Sequence, residues 1–184
     1  MEEGARYRFA EVSSRYGVMA IVWADGNAPP VKRIFLASGE EATRGEAFPR
    51  AERGTNAPID ALRRDMERFL AGEAVKLDVG LCDLDICYPF QGRVLLAEHA
   101  IPRGWVSTYG RIANHIGAPR AARAVGTALA RNPFPIVVPC HRAVKSNGAL
   151  GGFRGGLEMK RKLLEGEGVV FRPNGTVSME RVYY

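Results

Sequence analysis

The residues best equipped for chemistry in this 184-residue chain stand side by side at Cys140, His141 and Arg142. A thiol near its ordinary pKa of ~8.5 is a weak nucleophile at neutral pH, and a nearby His, Arg or helix N-terminus supplies thiolate by lowering that value. His141 can receive the thiol proton, directly or through a water, if the backbone turns at this point. The approach is stiff. Pro133, Pro135 and Pro139 alternate with Phe134, Ile136, Val137 and Val138, which fixes the chain before Cys140 and keeps water away. The other cysteines, Cys82 and Cys87, are too few for a disulfide scaffold and have no CxxC spacing for zinc. They can bond to each other or stand as two buried thiols, and Cys140 is left over either way.

A glycine-rich stretch follows, Asn147-Gly148-Ala149-Leu150-Gly151-Gly152-Phe153-Arg154-Gly155-Gly156-Leu157. Glycines let a backbone approach a flat ligand closely and offer N–H groups to it, and Phe153 can stack on a base. Residues 157–164 then read as a basic amphipathic helix whose Lys160, Arg161 and Lys162 form a charge run of the kind found on solvated faces.

Upstream, residues 91–99 read as a helix closed by Pro102 and Gly104. Ser107-Thr108 can cap a second helix over residues 109–116, which Gly117-Ala118 breaks. A third helix, with Pro119 at its first position, runs to Arg131 and stops at Asn132-Pro133. The last two form a helix-turn-helix candidate. The later one is small on its surface, with many Ala, Gly126 and Thr127, which suits a tightly packed helix or close contact with DNA. Arg120, Arg123 and Arg131 favour DNA, because long cations on a small helix can reach phosphates or enter a groove.

The first ninety residues gather no chemistry. Apolar runs at residues 7–12, 17–24 and 31–37, separated by the turn signals Asp25-Gly26-Asn27 and Pro29-Pro30, read as strands in meander order. A polar loop over 38–56 leads to an amphipathic helix at 58–70 with Gly72 as its stop. Residues 74–79 can add a strand, and 82–89 read as a connector.

Composition sets the class. With 46% apolar and 25% charged residues the chain is a packed globular protein. No run approaches the ~18 apolar residues of a membrane span, and the start Met1-Glu2-Glu3-Gly4-Ala5-Arg6 has no signal-peptide core. A cytosolic protein without membrane partners is expected. Charge is segregated: residues 1–90 hold 12 Lys/Arg against 15 Asp/Glu, whereas residues 91–184 hold 14 against 5. A basic half joined to a weakly acidic one is the footprint of a polyanion-binding module, although a merely soluble basic face has the same charge.

The ordered set Ala121-Ala122-Arg123-Ala124-Val125-Gly126, Asn132-Pro133, Pro139-Cys140-His141-Arg142 and Gly155-Gly156-Leu157 resembles the O6-alkylguanine-DNA alkyltransferase family over residues 89–170. The resemblance implies a division into 1–88, 89–170 and a tail at 171–184. It further implies an α/β N-terminal domain, ribonuclease H-like, followed by a mainly α C-terminal domain of winged helix-turn-helix type. The implied activity is direct reversal of DNA damage: the alkyl group of O6-alkylguanine, with O4-alkylthymine as a further candidate, passes to Cys140 and inactivates the protein. No cofactor and no metal are implied. The partner is double-stranded DNA, bound through the minor groove with the alkylated base flipped out, and the protein is a monomer in the cytoplasm, nucleoid or nucleus.

Residue by residue, Cys140 is the implied alkyl acceptor, with His141 polarised through a water and oriented by Glu167. Asn132 braces the turn, and Tyr109 donates to guanine N3. Arg123 fills the gap left by the flipped base, with Thr108, Ala121, Ala122 and Thr127 also at the DNA. Leu129, Ala143, Phe153 and Arg154 join Tyr109 in lining the substrate pocket. The chain departs from the family pattern at Phe153, where some relatives have Tyr, at Arg154, where a smaller residue is also found, and at the bulky Trp105. Three rivals remain open: a lesion-binding protein of the same fold without transfer, a cysteine hydrolase, and a transcription factor. The first is opposed by Cys140 itself, the second by the arginine-bearing small helix, and the third by the glycine loop.

Overall fold

The computed structural model describes residues 6–26, 30–37 and 46–184. By contact the chain divides into two compact units, Met1–Ile86 with Pro133–Val137, and Cys87–Asn132 with Val138–Tyr184.

In the first unit, strands β1 (Tyr7–Ser14), β2 (Gly17–Ala24) and β3 (Val31–Phe35) form an antiparallel meander, as their apolar runs predict. Met19 to Trp23 are all buried, the pattern of a strand covered on both faces. Phe9, Ala20, Val22 and Phe35 make a cluster capped by Tyr7 and Phe48. A fourth strand, β4 (Glu52–Arg53), pairs in parallel with β1 and makes the sheet mixed, in order β3-β2-β1-β4. It falls inside the expected polar loop, where two charged residues, ion-paired to Arg8 and Glu11 of β1, leave no apolar trace. Helix α1 (Ala57–Ala71) buries Ile59, Leu62, Met66, Phe69 and Leu70. Asn56 caps its first turn, and Gly72 ends it in the left-handed region that glycine adopts freely. The strand expected at 74–79 is absent: a single 3-10 turn, Val79–Leu81, held by the Asp78 side chain, follows directly. Asn27, Pro29 and residues 38–45 of the expected loop lie outside the described residues, as does the acidic start at 1–5. Cys82 and Cys87 are thiols, the first buried and the second half-buried.

The second unit begins with α2 (Pro89–Ala100), after which β5 (Ser107–Thr108) leads into α3 (Tyr109–His115). Thr108 Oγ1 accepts the Arg111 N–H and so fixes where α3 starts. Gly117, at φ 71°, lets the chain turn, and α4 (Ala122–Ala130) follows. This helix starts later than expected, since Pro119 and Arg120 form a turn ahead of it. Gln91, buried on α2, donates to the carbonyls of Ala128 and Arg131 (both 3.1 Å) and ties down the end of α4. A single 3-10 turn at Cys140–Arg142 runs into β6 (Ala143–Val144), which pairs in parallel with β5. Helix α5 (Gly156–Gly166) closes the unit.

Residues 171–184, expected as a tail apart from the rest, are built into this unit. A turn at Pro173-Asn174-Gly175 reverses the chain so that Phe171 pairs with Val177. Val177 completes a buried cluster with Val106, Val144, Leu164 and Val169, against which Phe171, Met179 and Val182 pack. Apolar residues in a short tail are enough to draw it into a core.

Candidate active site

The turn at Cys140–Arg142 buries all three of its side chains. Asn132, at the end of α4, donates from Nδ2 to the Val138 carbonyl (3.1 Å) and also hydrogen-bonds the Cys140 thiol. It therefore braces both the approach and the sulfur. The Nε2 edge of His141 lies 2.9 Å from Glu167 Oε1. Arg142 grips the same carboxylate with Nε and Nη2, each at 2.8 Å, and uses Nη1 to bond the Ile101 carbonyl at 2.6 Å. This is a forked, charge-assisted pair shielded from water.

Burial pushes the Cys140 thiol up to about 11, against the favourable pull of Asn132, Lys160 and Arg154. The expectation that His141 and Arg142 would lower it is not met, because Arg142 is committed to Glu167 and because burial also lowers the pKa of His141. Neutral imidazole is the form that can accept a proton. Burial alone would raise Glu167, but His141 and Arg142 together hold it at about 2. Resting thiol, neutral imidazole and ionised carboxylate thus coexist at neutral pH.

Above the turn, the Tyr109 ring packs against Gly126 of α4 and its hydroxyl against Gly151, which sits at φ 71°. A Cβ at Gly151 would stand 2.5 Å from that hydroxyl, so the position has no room for a side chain. Phe153 meets the His141 ring edge-on at 6.3 Å, and Arg154 reaches from the glycine loop to the Ala130 carbonyl (2.9 Å). The exposed surface of α4 carries Arg123, Ala124, Thr127 and Ala130.

Residues 89–169 match the family model of the 6-O-methylguanine DNA methyltransferase DNA-binding domain. Over 151 residues the chain is 38% identical to the methylated-DNA–protein-cysteine methyltransferase of Methanothermobacter thermautotrophicus, covering 82% of this chain and 80% of that protein. The chain belongs to the methylated-DNA–protein-cysteine methyltransferase family. Among solved structures, the Mycobacterium tuberculosis O6-methylguanine methyltransferase aligns at a TM-score of 0.69 and 33% identity, over 88% of this chain and 92% of that one. The same M. tuberculosis enzyme in complex with DNA aligns at 0.66, also with 33% identity. The small mixed sheet with helices matches the fold of these methyltransferases.

Within this family fold, Cys140, His141, Glu167, Asn132, Tyr109, Phe153 and Arg154 come together. Arg123 and Thr127 are exposed on α4, with Ala121 and Ala122 half-buried at its start. Thr108 is largely buried, and its hydroxyl accepts the Arg111 N–H in capping α3 directly before Tyr109. Leu129 and Ala143 are buried behind the site. The residue composition drew attention away from two others. Lys160 appears as part of a solvated charge run but is buried, and Glu98 appears as an ordinary polar residue near the end of α2 but is fully buried. Helical spacing carries the signal for Lys160, which lies on one stripe with Leu163, Leu164 and Glu167. No helix among the described residues is long and apolar enough to cross a membrane.

Proposed function

We propose that this protein repairs DNA by moving the alkyl group of O6-alkylguanine onto Cys140. The observation that carries the reading is the buried Cys140 thiol followed directly by a neutral His141 hydrogen-bonded to an ionised Glu167. His141 takes the thiol proton, directly or through one water, while Glu167 steadies the imidazolium that forms. The thiolate attacks the alkyl carbon in line. A sulfur–carbon bond forms as the carbon–O6 bond breaks, and the electron pair moves onto the guanine ring. A hydrogen bond from Tyr109 at N3 meets that charge, and the proton removed from the thiol finally returns to the base. A thioether is not readily hydrolysed, so each molecule acts once. All the groups used belong to the chain and to the DNA.

An O6-alkyl carbon is hidden within a duplex, so the nucleotide is flipped out, at a cost of a few kcal/mol. Arg123, projecting from the small-residue face of α4, is suited to fill the gap from the minor groove, with Thr127, Ala121 and Ala122 beside it. Helices α3 and α4 with the β5–β6 pair support a winged helix-turn-helix reading of the second unit. The meander with its parallel fourth strand supports a ribonuclease H-like reading of the first. One monomer on one lesion suffices for this chemistry.

The test is intact mass after incubation with duplex DNA containing O6-methylguanine. One added methyl per molecule is expected, on the peptide holding Cys140, and none in Cys140→Ala. Repeated turnover, or tight binding without an adduct, would overturn the assignment.

A further inference from the structure

Two buried ionisable groups near Cys140 have no task in the transfer just described. Glu98 on α2 is 0% exposed, and neither of its carboxylate oxygens has a side-chain partner; the one donor that faces it among the described residues is the Ala143 amide. Lys160 on α5 is equally buried, and its Nζ donates to the Ala143 carbonyl at 2.7 Å and the Gly152 carbonyl at 3.3 Å. Both meet the Ala143 backbone, Lys160 at its carbonyl and Glu98 at its amide. Cys140, three residues upstream, feels both groups: a charge on Glu98 opposes thiolate, and the charge on Lys160 favours it.

The groups that face Glu98 come from every element around it. Lys160 belongs to α5 and Glu167 caps its end, and Cys140, Arg142 and the Ala143 amide belong to the turn and β6. Tyr109 faces it from α3 and Tyr184 from the last residues of the unit. Arg142 is already committed to Glu167. An ionised carboxylate that is fully buried with no side-chain donor is disfavoured, whereas its acid form is tolerated.

We infer that Glu98 is a positioning residue acting on Cys140 through charge: it stays a neutral acid while the protein works and, once ionised, holds the thiol in its unreactive form. Burial keeps the carboxyl protonated up to about 8, with Lys160 and Arg142 only partly opposing this. At neutral pH the field at the sulfur therefore comes from Lys160 without an opposing carboxylate. Above that range Glu98 becomes an anion close to the developing thiolate. Lys160 loses its proton in the same range, since burial brings it down to about 8. Both changes disfavour thiolate, so transfer slows on the alkaline side, where a simple thiol would speed up.

This inference rests on Cys140 being the alkyl acceptor, and the experiment separates the two. Single-turnover methyl transfer from O6-methylguanine duplex is followed by intact mass across pH for the wild type and Glu98→Gln, which keeps shape but cannot ionise. At neutral pH the two rates are expected to agree within about twofold, and near pH 9 the variant should be at least about threefold faster, because only the Lys160 effect remains. Superimposable alkaline falls would overturn the inference. So would a folded Glu98→Gln that is more than about tenfold slower at neutral pH, since that would mean the ionised carboxylate is needed. Infrared spectroscopy gives an activity-independent reading: a protonated-carboxyl band at neutral pH, fading on alkalisation and absent from Glu98→Gln. Its absence from the neutral wild type would also overturn the inference. If no adduct forms at any pH, the alkyl-transfer reading fails, while the infrared result still decides the state of Glu98.

Discussion

Two glutamates are buried close to Cys140, and the second unit treats them in opposite ways. Glu167 receives three hydrogen bonds from His141 and Arg142 and remains ionised far into acid. Glu98 has no side-chain donor, only the Ala143 amide facing it, and is pushed toward its acid form. Depth alone does not separate them, because both are shielded from solvent. The difference is whether donors surround the carboxylate, and it teaches that a buried carboxyl takes its charge from its partners before it takes it from its depth.

The contrast is broken most severely at Glu167. In Glu167→Gln the Arg142 guanidinium is left buried without its anion, which should cost about 3–5 kcal/mol in denaturant unfolding at neutral pH. His141 loses its orienting partner, so methyl transfer should also slow by about tenfold or more. A melting curve and transfer rate within error of the wild type would show that the pair contributes nothing.

A second effect, spread over pH, is expected from Glu98, with the reverse sign. Its folded-state pKa is raised, so the stability it contributes is full below the ordinary carboxylate range and is lost as pH rises toward about 8. Wild-type stability relative to Glu98→Gln should therefore fall by about 1.4 kcal/mol per pH unit across that window. Glu167 behaves conversely. Its folded-state pKa is depressed, so its contribution is present above the ordinary range and disappears as pH falls toward about 2. Parallel denaturant melts at several pH values distinguish the two, and a flat difference curve for Glu98→Gln would contradict the contrast.

The smallest effect belongs to the solvent side of α5. Lys162 pairs with Glu158 at 2.6 Å with both side chains exposed, and Lys162→Ala should change stability by less than about 0.5 kcal/mol. A larger loss would mean that exposure is a poor guide to the strength of ion pairs in this helix.

The same contrast explains what the sequence revealed. Tyr109, Asn132, Cys140, His141 and Glu167 were legible because their types and order form a pattern. The meander was legible because apolar runs alternate with turn residues. Glu98 was not, because α2 carries no clear amphipathic stripe and a glutamate beside His99 has the composition of a surface turn. Its burial follows from packing around α2, which local residue order does not encode. Lys160 was hidden by Arg161 and Lys162, although its spacing of seven from Glu167 places both on one face. Strand β4 was missed because its two residues are charged and carry no apolar pattern, and the late start of α4 because Pro119 serves a turn instead of a first helical position.

The burial of Cys140 has one more consequence, for life between lesions. A thiol pushed up to about 11 is almost entirely protonated in neutral solution, and oxidants and soluble electrophiles react with thiolate. A protein that can act only once would be exhausted by such encounters if its sulfur were permanently activated. A sulfur kept inert in this way makes reactivity a matter of address, so that the alkyl group that reacts is one in the right place and not merely one of the right chemistry.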